Sequence, residues 1–251
     1  MLSVIKSMYL YGLEGVLIDV EVDVSTGMPC WDIVGLPDAS IKESKERVKT
    51  AIKNCGIELQ SRKYIINLSP SNLHKTGPIF DLPIAIGILS SINIIKTSNL
   101  EKTLFIGEMS LNGKLKKING VLSICISAKK YGINRIILPK ENSKEAAIVN
   151  NIEVIGVQTL KDVIEFLNNK IKILPEKTQN IKEENIEDGL DFSEVKGQEF
   201  VKRGLEIAVA GSHNVCLIGS PRIRKNNACR TNTKYNARFK FWRGNVNNSN
   251  I

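Results

Sequence analysis

The residues with the clearest chemical spacing run from Val215 to Asn226. Val215-Cys216-Leu217-Ile218 reads as a short buried strand, and Gly219, Ser220 and Pro221 open a turn of the GxxxxGK[ST] type, a phosphate loop. Lys225 stands where the phosphate lysine belongs, but Arg224 replaces the second glycine and Asn226 replaces the Ser/Thr. Such a loop needs glycines so that backbone N–H groups can reach the phosphates, and a hydroxyl to ligate Mg²⁺. Arg224 adds a Cβ and a bulky charge where the chain must turn freely. Gly219, Ser220, Pro221 and Lys225 are therefore the candidate nucleotide-binding residues, the remnant of a degenerate site.

Other reactive side chains form no constellation. The five cysteines (Cys30, Cys55, Cys125, Cys216, Cys229) are scattered, odd in number and without CxxC spacing. A disulfide framework or zinc site is not expected, and a reducing cytoplasm is the expected compartment. His74 and His213 are far apart and read as turn or surface residues, so no metal site is expected. Trp31 reads as core or sheet edge, and Cys125 as packing. The sequence shows no signal peptide and no run of about 18 apolar residues for a membrane span.

Charge is unevenly placed. Of the formal +9, eight units come from basic residues in 222–251, which contain no acid, leaving +1 for the first 221 residues. With eight asparagines and no apolar periodicity, 222–251 reads as a disordered basic tail. Tyr235, Phe239, Phe241 and Trp242 lie between its basic residues, the pattern of a nucleic-acid arm.

Alternating patterns and punctuation give the elements. Val16 to Val24 alternates apolar and acidic residues, as a half-buried strand does. A helix is predicted from Ala39 to Cys55, with Ser40 and Glu43 as a capping box and Lys42–Glu46 and Glu43–Arg47 pairs on its wet side. Strand Tyr64–Leu68 leads to Ser69-Pro70, and a buried helix follows over Asp81–Ser91, with Pro83 in its first turn. Leu104 to Ile118 reads as a hairpin around Asn112-Gly113. Next come a helix from Val121 to Tyr131 closed by Gly132, a strand at Ile136–Leu138, a loop starting at Pro139, a strand at Val154–Val157 and a helix over Leu160–Leu167. Residues 171–190 read as a linker. A further helix spans Glu199–Ala210.

Two blocks resemble the magnesium-chelatase-like AAA+ ATPases of the ComM/YifB type. Gly12-Leu13-Glu14-Gly15, Ile33-Val34-Gly35-Leu36-Pro37, Asn67-Leu68-Ser69-Pro70 and Phe80-Asp81-Leu82-Pro83-Ile84-Ala85 form the first. Phe192 to Gln198, Lys202-Arg203, Glu206-Ile207-Ala208, His213-Asn214 and Leu217-Ile218-Gly219 form the second, after which the resemblance stops at Pro221. It implies an α/β chain: a Lon-protease-like α+β domain over 1–170, a linker over 171–190, the start of a P-loop AAA+ domain over 191–221, then the tail. For the intact family it implies ATP and Mg²⁺ as cofactors, a hexameric homo-oligomeric ring, and DNA as the partner of a branch-migration motor.

The first block also resembles the proteolytic domain of Lon. By that resemblance a nucleophilic serine should follow Gly77-Pro78, where Ile79 and Phe80 stand, and the lysine should fall near Leu122. Neither partner exists, so an inert version of the fold is implied and no catalytic residue is assigned. The alternative Ser/Lys pair is Ser69 or Ser71 with Lys75, competing with a turn reading of the serines. At the break, one encoding of Arg222–Cys229, shifted by one base, reads GSGKTMLA and restores the loop after Pro221. A frameshift is therefore expected to account for the lost motif and the basic tail. No Walker B pair or arginine finger is recognisable in the sequence, so ATPase activity is predicted lost.

Overall fold

A computed structural model describes residues 2–96, 100–177, 197–211, 213, 215 and 216. The chain divides into two units, Met1–Ile181 and Lys182–Ile251. The first begins with an antiparallel hairpin, β1 (Leu2–Tyr11) and β2 (Glu14–Ser25), turned at Gly12 with φ +62°. β3 (Cys30–Val34), α1 (Ala39–Asn54) and β4 (Lys63–Ser69) follow. A 3-10 turn at Pro78–Phe80 leads into α2 (Asp81–Ser91). Then come β5 (Thr103–Phe105), the short pair β6 (Glu108–Met109) and β7 (Leu115–Lys116), and α3 (Val121–Lys130). β8 (Arg135–Pro139), α4 (Ser143–Ala146), β9 (Glu153–Val157) and α5 (Leu160–Leu167) complete it.

Seven strands make one sheet in the order β3-β4-β2-β1-β5-β8-β9. Four neighbouring pairs are parallel; β1–β2 and β2–β4 are antiparallel. This is an α/β fold with a mostly parallel sheet. Successive residues point to opposite faces, so each central strand feeds two cores. Ile5, Ile18, Val20, Ile66, Phe105 and Ile137 pack with α1, α2 and α5. Met8, Leu104, Ile106, Ile136 and Leu138 pack with α3 and Ala146 of α4. Along β2, Ile18, Val20, Val22 and Val24 are buried while Asp19, Glu21 and Asp23 are half-buried, as its alternation predicts.

Several elements differ from their sequence readings. α1 is capped by Asp38, not by a Ser40–Glu43 box: Asp38 Oδ1 accepts the Ile41 N–H at 2.7 Å. The helix begins at Ala39, which places Ser40 inside the first turn, and Asp is a strong N-cap. The hairpin at Asn112-Gly113 is only β6–β7, because Thr103–Phe105 is drawn into the main sheet between β1 and β8. The stretch after Pro139 is a 3-10 turn (Lys140–Asn142) running into α4 rather than a loop. Asn142 stabilises it by accepting the Ile118 N–H at 3.0 Å and donating to the Ile118 carbonyl at 2.8 Å.

In the second unit α6 spans Glu199–Ala210, with Lys202–Glu199 and Arg203–Glu206 ion pairs along it. Val215 and Cys216 are not in a strand. The rest of the expected strand, the loop residues Gly219, Ser220, Pro221 and Lys225, and the basic tail lie outside the described residues. Among the described residues, no helix is long and apolar enough to cross a membrane.

Candidate functional site

The loops at the C-terminal ends of β3 and β4 lock together around one lysine. The Lys75 N–H donates to the Leu36 carbonyl at 3.2 Å, and the Asp38 N–H donates to the Lys75 carbonyl at 3.1 Å. Asp38 Oδ2 accepts the Gly77 N–H at 3.2 Å, so the carboxylate that caps α1 also holds the second loop. Gly35 has φ +95°, and a Cβ there would meet the Leu68 carbonyl oxygen at 2.3 Å. Only glycine permits that approach.

Lys75 is fully buried. Its Nζ donates to the carbonyls of Gly35 at 3.0 Å, Leu73 at 3.1 Å and Pro70. Burial pulls its ammonium below the ordinary lysine value. All three ammonium protons are committed to main-chain carbonyls, which leaves none to partner Ser69 or Ser71. The proposed Ser/Lys pair is therefore not assembled; the lysine ties two loops. Lys75→Met orphans three carbonyls, and should lower the unfolding free energy in urea by about 3 kcal/mol. A loss below about 1 kcal/mol would show that water can replace the ammonium.

The positions that correspond to Lon's serine and lysine are equally inert. Ile79 lies in the 3-10 turn and packs against both cores, and Phe80 is buried. Leu122, in the first turn of α3, donates its N–H to Glu145 Oε1 at 3.3 Å. Neither position offers a hydroxyl or an amine. Cys125 is also buried, and burial pushes its thiol up to about 12, so it serves packing as its place on the helix suggested. Trp31 stands on the edge strand β3 and packs on Tyr64 with ring centroids 4.6 Å apart. His74 and His213 are exposed.

A buried ion pair of the first unit escaped the sequence reading. Asp81, at the start of α2, is completely buried. Arg47 grips it with two bonds, Nε to Oδ2 at 2.9 Å and Nη2 to Oδ1 at 3.1 Å. The Met109 N–H adds a third at 3.1 Å. Burial raises the Asp81 carboxyl above its ordinary value, opposed by the guanidinium. Arg47 reaches Glu43, its expected partner, only at 3.9 Å. The available signal was an acid heading an otherwise apolar helix, which demands a cation nearby.

Similarity to known sequences gives the class, a magnesium-chelatase-like protein. The sequence matches the family described as Subunit ChlI of Mg-chelatase over residues 20–142, and Magnesium chelatase, subunit ChlI, over residues 191–233. The chain is 36% identical to Competence protein ComM of Haemophilus influenzae over 228 residues, 89% of this chain and 44% of that protein. It is 37% identical to YifB of Escherichia coli over 224 residues, 89% and 44% of the two chains. It is 29% identical to Lon protease 2 of Bacillus subtilis over 181 residues, covering 65% of this chain and 32% of that one. The chain belongs to the ComM/YifB-type magnesium-chelatase-like family. It spans under half the length of these relatives. The second family match runs to residue 233.

Proposed function

We propose that this chain carries the Lon-protease-like domain and the opening of the AAA+ domain of a ComM/YifB-type DNA motor, and that it does not hydrolyse ATP. The observation that carries the second half is the loop itself. Arg224 and Asn226 stand at the glycine and hydroxyl positions of a GxxxxGK[ST] sequence. Asparagine offers an amide where Mg²⁺ is normally met by a hydroxyl, and arginine obstructs the backbone cradle. The residues present therefore do not fit Mg²⁺–ATP. The link to DNA processing rests on the relative named for competence. Ring assembly and DNA contact are the properties the family resemblance implies, and the scattered cysteines favour a reducing cytoplasm. Purified chain should show no ATP turnover above background, unchanged by Lys225→Ala; turnover that this variant abolishes would sink the proposal.

A second reading is a DNA-binding module that uses 222–251. Eight basic residues without an acid, interleaved with four aromatics, favour it. DNA binding that weakens steeply with salt and vanishes on deletion of 222–251 would select this reading. Binding that survives the deletion would place the DNA contact elsewhere in the chain.

A further inference from the structure

Strand β9 is an edge of the seven-stranded sheet; among the described residues only β8 pairs with it as a strand. Its outer side is not bare. The Glu176 N–H donates to the Val154 carbonyl at 2.9 Å. The Glu176 carboxylate reaches the segment that follows β8: Oε2 accepts from Lys140 Nζ at 2.9 Å and lies 2.7 Å from Ser143 Oγ. Ser143 Oγ is also 2.9 Å from the Lys140 carbonyl, so one hydroxyl proton is shared between two acceptors. These groups crowd β9. A Cβ at Gly156 would meet Ser143 Cβ at 2.7 Å and Lys140 Cδ at 3.0 Å. Ile173, three residues before Glu176, packs against the main core.

We propose that residues 171–177 are a strap that caps the β9 edge, closed by a Lys140–Ser143–Glu176 clasp. An unpaired edge strand offers free N–H and C=O groups to any incoming strand, and proteins commonly cover such edges. The strap has no regular secondary structure, so side-chain bonds must supply what a full ladder would. The clasp is built to open. The Lys140 side chain is half exposed, which lets salt screen the pair. Lys140 and Ser143 hold the Glu176 carboxyl below its ordinary value, with Lys144 adding a smaller effect. Glu153, at the opposite end of β9, is occupied with Arg135 at 2.5 Å. A depressed carboxyl supports the closed strap above the ordinary glutamate range and loses that support as pH falls through the lowered value. Acid and high salt therefore release the strap, and neutral low-salt conditions close it.

Hydrogen exchange on the whole chain tests this, with Glu176→Ala and Lys140→Met as independent variants. Both should speed exchange over 171–177 by about 10-fold, while β1, β2 and β4 keep their protection. The wild type should show the same local loosening when taken from neutral pH to acid. Sedimentation should show both variants associating more than the wild type, because the β9 edge is uncovered. Unchanged exchange over 171–177 in both variants would overturn the clasp. Acceleration spread evenly through the sheet would make Glu176 a core support and overturn it too. Unchanged sedimentation would overturn the edge-capping role.

Discussion

Arg47→Met should cost about 3–5 kcal/mol of unfolding free energy, the usual penalty for removing one partner of a buried ion pair. Total stabilities are about 5–15 kcal/mol, so the variant should be on the margin of folding. Methionine fills much of the aliphatic volume, which isolates the electrostatic loss from a cavity effect. What remains is a carboxylate with no exposure, supported by the Ser44 hydroxyl and the Met109 N–H. Glu43→Ala is the matched control. Glu43 is largely exposed and 3.9 Å from the guanidinium, and such pairs contribute about 0.5 kcal/mol or less. The pH dependence separates charge from packing. The folded Asp81 value is raised, so protonation favours the fold at low pH, and that support disappears as pH rises through the raised value. Without Arg47 the value climbs further. The deficit of Arg47→Met should therefore be greatest near neutrality and shrink as pH falls through the raised value of the carboxyl. A deficit that is flat with pH, measured by urea unfolding, would assign the loss to packing.

The same pair shows what local patterns leave unread. α2, α5 and α6 start and stop where apolar periodicity and turn residues place them, at Asp81–Ser91, Leu160–Leu167 and Glu199–Ala210. Those signals act within a few turns of chain. Arg47 and Asp81 are 34 positions apart, and along α1 alone Glu43 is the natural partner, so spacing pointed to the weaker contact. Lys75 was legible as a lysine beside serines, which suggested chemistry. Its acceptors are main-chain carbonyls from two loops, and carbonyls carry no sequence signature. Strand identities could be read from alternation, but the insertion of β5 between β1 and β8 could not. A three-residue strand gains its place from neighbours distant in sequence. The inert serine and lysine positions were legible because the family comparison supplied the register, and the structure places apolar Ile79 and Leu122 there.

Arg224→Gly combined with Asn226→Thr should raise the affinity for Mg²⁺–ATP by at least about 10-fold, or roughly 1.4 kcal/mol. The two changes complete GxxxxGKT around the existing Gly219 and Lys225. The glycine removes the Cβ that keeps backbone N–H groups from the phosphates, and the hydroxyl gives the metal its ligand. Their effects should be unequal and separable. Arg224→Gly alone should improve nucleotide binding with or without Mg²⁺, because it repairs the backbone cradle. Asn226→Thr alone should improve binding only when the metal is present. Titration of a fluorescent ATP analogue against the four proteins, with and without Mg²⁺, reads both effects. A double variant no tighter than the parent would mean that residues 219–226 do not form a phosphate loop even when the motif is complete. The DNA across this loop is a separate check on its origin: codons for Arg222–Cys229 that cannot read GSGKT in the neighbouring frame would exclude a frameshift. Its exclusion would leave a loop altered by substitution. In that case Lys225 is a retained residue, and the loop lacks only the two groups that the double variant restores.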